Sequence, residues 1–458
     1  MTRRFSVAVA VITTFLLLVA APSAADTDLQ PIIDAAEPGS VITLEPGTYR
    51  GGVTIDKPLT IRGVDWPVVD GHGEGSVFRV ESSDVTIAGL VIRNTGDSLD
   101  RENAGISTDQ SPRLVVTGNR FVNVLFGVFA RTSPNAVISD NVVGAMDLAP
   151  GRRGDGIRVW ESPYSVIERN EISGGRDTVM WFTDNVVVRD NVVEGGRYGL
   201  HFMYSDNAVV EGNRISENSV GMFLMYSRDL VLRDNVIANN NGPSGYGVGL
   251  KDMDGVTATG NLLIGNRAGL YLDNSPSAQG VHQLFSGNLF AYNEVGVLFL
   301  PAVERNHFSG NAFVDNGEQV GIQGTGRFEG NEWTIDGVGN YWSDFAGYDA
   351  DGDGIGDSAY KLDDLFSELT DDHPELAFFA ETPASRAVDL AASMFPAFRP
   401  RPKVEDTAPL IDRPTVIAGA SAPATPPLAT TALASLILLG GAVAVAASSR
   451  GHRRSAAT

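Results

Sequence analysis

An asparagine returns about every 22 residues through most of this chain, at Asn119, Asn141, Asn170, Asn191, Asn213, Asn235, Asn261, Asn288, Asn311 and Asn331. Around it the pattern is Val-x-Val-x-x-Asn-x-Ile or a close variant, as in Val209-Val-Glu-Gly-Asn213-Arg-Ile and Val231-Leu-Arg-Asp-Asn235-Val-Ile. A glycine, or Asp177 in one coil, opens a second short apolar run at 105, 127, 156, 177, 199, 221, 249, 269 and 296. The alternation within each run has period two, the period of a strand. Asn and Gly tolerate the left-handed backbone of a tight corner. One such coil cannot bury its own apolar face, but stacked coils bury a continuous column. The expected fold is therefore all-β, a right-handed parallel β-helix over 26–345, with the asparagines stacked as a ladder at one corner. Ile42 to Tyr49, Val53 to Ile61 and Val85 to Ile92 read as its first coils, and Asp28 to Glu37 as a short capping helix.

The flanks read differently. Residues 1–25 form a secretory leader, with Arg3 and Arg4, an apolar centre from Phe5 to Ala20, and a small-residue cleavage site before Asp26. An Asp-rich loop and a helical extension occupy 346–399, and a Pro- and Ala-rich linker occupies 400–427. The uncharged run Leu428–Ala447 is long enough to cross a bilayer, and a basic tail follows at 448–458 with Arg450, Arg453 and Arg454. Basic residues stay on the cytoplasmic side, so the body is expected outside the membrane, anchored by one helix, a sorting tail that is cut off being the other reading. The net charge of −22 argues against nucleic acid as a partner. No cysteine is present, which removes disulfides and thiolate metal sites together.

Five methionines fall between Met180 and Met253. In Gly199-Leu-His-Phe-Met-Tyr-Ser205, Gly221-Met-Phe-Leu-Met-Tyr-Ser227 and Gly249-Leu-Lys-Asp-Met253, the fifth residue from the glycine is Met203, Met225 and Met253. Period two then points Leu200, Phe202, Met222, Leu224 and Met180 inward. It points His201, Met203, Phe223, Met225, Lys251 and Met253 outward, with Trp160 and Trp181 at the methionine position in the preceding coils. An exposed apolar stripe needs a reason. Three stand open: a covering loop or C-terminal segment, a docking face using Trp160, Trp181, Phe223, Tyr204 and Tyr226, or a soft-metal site. Thioethers prefer Cu(I), and imidazole suits copper as well, so Met203, Met225, Met253 and His201 are the candidate copper ligands.

A second candidate is Asp349-Ala-Asp-Gly-Asp-Gly-Ile-Gly-Asp357, where Asp349, Asp351, Asp353 and Asp357 follow the start of an EF-hand calcium loop. Position 12 is Tyr360 instead of Glu, so Asp363 or Asp364 would have to complete the shell, and an acidic turn without metal is the other reading. Gly71-His-Gly73 lacks the paired acids of a pectinase. The run Gly242 to Lys251 lacks the Gly-Lys-Ser/Thr ending of a phosphate loop.

The stretch from Arg197 to Asn261, above all the paired Met-Tyr-Ser strings and Gly242-Pro-Ser-Gly-Tyr-Gly-Val-Gly-Leu-Lys251, resembles the NosD family. Gly339-Asn-Tyr-Trp-Ser-Asp344 and the Asp-Gly run that follows are similar to its C-terminal part. The resemblance implies a non-enzymatic periplasmic β-helix that handles copper for maturation of nitrous-oxide reductase, NosZ. It also implies docking on an ABC transporter with ATPase and membrane subunits of the NosF and NosY kind, and copper supply from a chaperone of the NosL kind. A terminal membrane span departs from the usually soluble family pattern. The alternative from another class is a secreted β-helix that binds or cleaves polysaccharide. A purely structural envelope protein is a third.

Overall fold

The computed structural model describes residues 26–324 and 329–363, shorter stretches between 366 and 394, and 402–415. The leader 1–25, the apolar run 428–447 and the basic tail lie outside the described residues. No helix among the described residues is long and apolar enough to cross a membrane.

Three parallel sheets run the length of the body, with 14, 12 and 12 strands. Each coil contributes one strand to each sheet, so every strand pairs with its equivalents in the coils before and after. The coil at the middle of the molecule is typical. Tyr198–Met203 lies in the front sheet, Val209–Glu211 in the second and Arg214–Ser216 in the third. Inward residues Leu200, Phe202, Val210 and Ile215 are fully buried and stack on their counterparts in neighbouring coils. Parallel stacking in register puts like residues on like and turns a sequence repeat into columns; the register shifts between Val122 and Val124 and between Asp177 and Val179.

The asparagine ladder forms as the spacing predicts. Asn213 Nδ2 donates to Asn235 Oδ1 at 3.0 Å and to the Val188 carbonyl at 2.9 Å, while the Asn213 backbone N–H donates to the same Asn235 Oδ1 at 3.0 Å. The ladder runs unbroken from Asn119 to Asn311 and ends on Asn340. Asn331 belongs elsewhere, bonded to Asn306 at a different corner. A second ladder, Asn218, Asn240, Asn266, Asn293 and Asn316, lines the corner that leads back to the front sheet. The third corner uses hydroxyls: the Thr183 N–H donates to Ser205 Oγ at 3.0 Å and the Ser205 N–H to Ser227 Oγ at 2.8 Å. Each ladder gives buried corner amides partners that no sheet could supply.

Both ends of the stack are closed. The helix Gln30–Ala35 sits on the first coil, with Leu29 and Ile33 buried and Gln30 bonded to both backbone groups of Thr54. At the far end, aromatic columns replace aliphatic ones, and Phe290, Phe313, Trp342 and Tyr360 stack at 4.9, 4.3 and 4.3 Å. The region read as an extended linker begins as part of this body. Val404–Asp406 pairs antiparallel with Tyr360–Leu362, and the fully buried Asp406 carboxylate accepts from Asn340 N, Trp342 Nε1 and Thr334 Oγ1 at 2.7, 2.9 and 2.8 Å. Proline content argued for an extended chain, but this buried acid ties it down together with backbone bonds such as Leu410 N–H to the Asn340 carbonyl at 2.9 Å. In the helical extension, Pro374–Phe379 is a 3-10 turn and Pro383–Met394 an α-helix.

Candidate metal-binding face of the front sheet

Register decides which side chains share a column. Trp160 pairs with Trp181, Trp181 with Met203, Met203 with Met225, and Met225 with Lys251. Met203 and Met225 therefore stand side by side, with Cα atoms roughly 4.8 Å apart at the ordinary strand spacing. Met253 is not in the column. It is fully buried at the hydroxyl corner, between Ser227 and Ser275, and its N–H donates to Ser275 Oγ at 3.0 Å. The error comes from two glycines. Gly247, not Gly249, is the equivalent of Gly221, as the pairing of Met222 with Val248 requires. A slip of two residues leaves the inward–outward alternation unchanged, so period two could not detect it. Lys251 takes the place assigned to Met253 and pairs with Asp273 at 2.7 Å. Met180 and Met222 face the core, fully buried, as the alternation predicts.

His201 lies on the same strand and face as Met203, one pleat away. It is only 5% exposed because aromatic rings crowd it. Tyr198 and Trp181 meet it edge-on at 5.0 and 5.8 Å, and Phe223 leans on Tyr198 at 5.3 Å. Phe223 has room because Gly249 lies beside it, where a Cβ would come within 2.7 Å of the ring. Trp160 and Trp181 pack at 6.0 Å. Phe182, Tyr204 and Tyr226 form a separate stack along the adjacent corner, spaced 5.1 Å, with Tyr204 45% exposed. The proposed docking aromatics thus fall in two groups, with Trp160 one coil beyond Trp181, which pairs with Met203.

Asp177 organises the histidine. Its buried carboxylate accepts from Arg197 Nε at 3.0 Å and from the Tyr198 N–H at 3.2 Å, makes a second contact with Arg197 Nη2, and faces His201 Nδ1 at 3.3 Å. Burial raises the pKa of this carboxyl, but hydrogen bonds from His201 and Arg197 and the charge of Arg197 outweigh it and hold it below the usual carboxylate value. An ionised carboxylate can only accept, so it favours a proton on Nδ1; in the neutral imidazole that leaves the lone pair on Nε2. His201 Nε2 is buried with no hydrogen-bond partner among the described residues. A carboxylate that fixes the tautomer of a histidine whose other nitrogen is free is the usual support of a metal-binding imidazole. Asp177 occupies a position where other coils open with glycine, and that substitution was the one sequence signal of its role.

Neighbouring charges are spent on one another. Arg158 donates to Asp155 at 2.7 Å and to Glu102 at 3.2 Å, and Arg131 reaches Glu102 at 2.5 Å. Burial pushes the Asp155 carboxyl up despite Arg158. Beside Arg197 a cleft of about 730 Å³ opens, lined by Arg153, Arg176, Glu217, Asn218 and Ser219 among others. It lies between the two longer loops of the stack.

In the Asp-rich loop, Asp349, Asp351 and Asp353 offer carboxylate oxygens within 4.8 Å of one another. Asp349 also caps the backbone N–H groups of Gly352, Asp353 and Gly354, and Asp357 turns to the Ala350 N–H at 2.7 Å, so it stands apart from the trio. Tyr360 is buried on Trp342 and supplies no twelfth-position ligand. Asp364 lies outside the described residues.

The fold and this face define a class: a β-solenoid scaffold that presents a thioether pair and an oriented imidazole on one sheet. A profile of the family described as "Periplasmic copper-binding protein (NosD)" matches residues 144–347, the part that carries the face. A curated relative from Pseudomonas aeruginosa, "Probable ABC transporter binding protein NosD", is 32% identical over 81% of this chain and 88% of its own length. Its counterpart from Stutzerimonas stutzeri is 29% identical over 81% of this chain and 87% of its own. The chain belongs to the NosD family. Among solved structures, the A-module of an Azotobacter vinelandii mannuronan C-5 epimerase superposes with a TM-score of 0.53. It is 18% identical and covers 66% of this chain and 92% of its own, a likeness of fold alone.

Proposed function

We propose that this chain is an extracytoplasmic accessory protein that carries Cu(I) as cargo for the maturation of nitrous-oxide reductase, working with an ABC transporter. The observation that supports it most is the unpartnered, buried Nε2 of His201, oriented by Asp177, on the strand that also carries Met203 next to Met225. Imidazole with two thioethers suits a soft monovalent ion, and the surrounding rings exclude water and oxidants from it. The relatives' names support the transporter, and the family description supports copper and the periplasm. In this reading the aromatic groups around Trp181 and Tyr204 meet the partner that gives or takes the ion, and the chain is a carrier, not an enzyme. Leu428–Ala447 would hold it at the membrane, which fractionation of cells would test.

Anaerobic competition for Cu(I) against a chromophoric chelator tests the site. M203L/M225L should bind distinctly more weakly than wild type, while M253L, changed only in the core, should bind as wild type. Wild-type affinity in M203L/M225L sinks the reading. Calcium is proposed separately for Asp349, Asp351 and Asp353. Repulsion from Asp353 raises the Asp351 carboxyl, a strain that a divalent ion would relieve. A calcium-dependent rise in melting temperature, absent in D351N, is the expected result.

A further inference from the structure

Two histidines outside this face meet on the second sheet. His282 stands just before the strand Gln283–Ser286, and His307 lies in the next strand of that sheet, Asn306–Ser309. Their rings are 4.5 Å apart between centroids, and His282 Nδ1 is 2.8 Å from His307 Nε2. Glu332, bridged to His307 in the following coil, brings Oε2 to 3.6 Å from the same His307 Nε2. Two imidazole nitrogens and a carboxylate thus converge from three successive coils. Arg305, two residues before His307, is paired with Glu304 and donates to the Pro276 carbonyl at 3.2 Å.

We infer that His282 and His307, with Glu332 as a third ligand, bind a divalent transition-metal ion, copper(II) in preference to zinc. At this distance the two imidazoles share one hydrogen. If both protons sit on the far nitrogens, Nδ1 of His282 and Nε2 of His307 become two facing lone pairs, with no net loss of a proton. A metal at about 2.0 Å from each needs the nitrogens only a few tenths of an ångström further apart, and both side chains stand at the surface, where they can give. A small rotation of the exposed Glu332 completes a two-histidine, one-carboxylate set. Among divalent first-row ions such a site favours copper(II). The net charge of −22 concentrates cations around the chain. The backbone is held by the strand pairing of Gln283 with Asn306, so the pair is preorganised. This site shares no residue with the methionine face.

The test is titration of the metal-free, tag-free chain with Cu²⁺, followed by electron paramagnetic resonance. The expected spectrum is that of one bound ion with hyperfine splitting from two imidazole nitrogens. H282Q and H307Q should each remove one nitrogen and weaken binding at least about tenfold, as a three-point attachment becomes two-point. Their melting temperatures should match wild type, because neither side chain is in the core. M203L/M225L should keep the signal unchanged. An oxygen-only spectrum, equal Cu²⁺ uptake by wild type and the histidine variants, or loss of the signal in M203L/M225L would each overturn the assignment.

Discussion

Asp177→Asn separates the orientation of His201 from its mere presence. In the wild type the carboxylate, 2% exposed, meets Arg197 and His201 together. The amide is nearly isosteric, so packing survives, but two things change. Arg197 loses its counter-ion. Stranding a fully buried charge costs about 3–5 kcal/mol, but the Arg197 side chain is 40% exposed, and water recovers part of that. A loss of about 2 kcal/mol is the reasonable expectation. In addition, the carboxamide can turn its NH₂ toward Nδ1, which selects the wrong tautomer and takes the lone pair off Nε2. Loss of such a supporting partner typically lowers metal affinity about 10- to 100-fold. Urea unfolding reads the first effect and anaerobic Cu(I) competition the second. R197Q is the control, since it removes the ion pair but keeps the carboxylate on His201. It should lose stability comparably and lose less copper affinity. If D177N stays folded and holds Cu(I) as wild type does, Asp177 does not set the tautomer and the role given to His201 fails. The pH dependence has a definite sign. The folded-state pKa of Asp177 is lowered, so its contribution is complete above the unfolded value of about 3.9 and disappears as pH falls through the folded pKa. Wild type should lose this increment on acidification below about pH 4, and D177N should not.

Asn213→Ala breaks the ladder at its middle. It removes the acceptor of the Asn191 N–H, one of three acceptors of the Asn191 amide, and the side-chain donor to the Val188 carbonyl. At about 1–3 kcal/mol for the stranded N–H and about 1 kcal/mol for the lost side-chain bonds, the expected cost is about 3 kcal/mol in urea unfolding. A loss under about 1 kcal/mol would mean that water enters the corner. Asp406→Ala removes the buried acceptor that joins residues 402–412 to the end of the stack alongside their backbone bonds. It should expose that segment to limited proteolysis and cost about 3 kcal/mol or more, as hydrogen bonds to charged groups are worth more than neutral ones. A digestion pattern like that of wild type would refute the tie.

Much of the architecture was legible because it repeats. A solenoid reads each coil against the next, so the asparagine spacing, the inward valines and isoleucines and the outward Trp160, Trp181, Met203 and Met225 all follow from period and position. What spacing could not decide was register where glycines double. Gly247 and Gly249 both satisfy the strand pattern, and only the hydrogen-bonded pairing shows that Met253 turns into the core while Lys251 stands beside Met225. Sequence also could not see contacts made between coils by unlike residues. Asp177 and His201 are 24 positions apart, and Asp406 lies 64 or more from Trp342 and Asn340. Nothing local marks a carboxylate that will be buried against a histidine one coil away. The repeat by itself determined the stacking, because only stacked coils can bury a face with that period. The tertiary structure alone decided the chemistry of the front sheet, because the tautomer of an imidazole depends on which charge is brought against it.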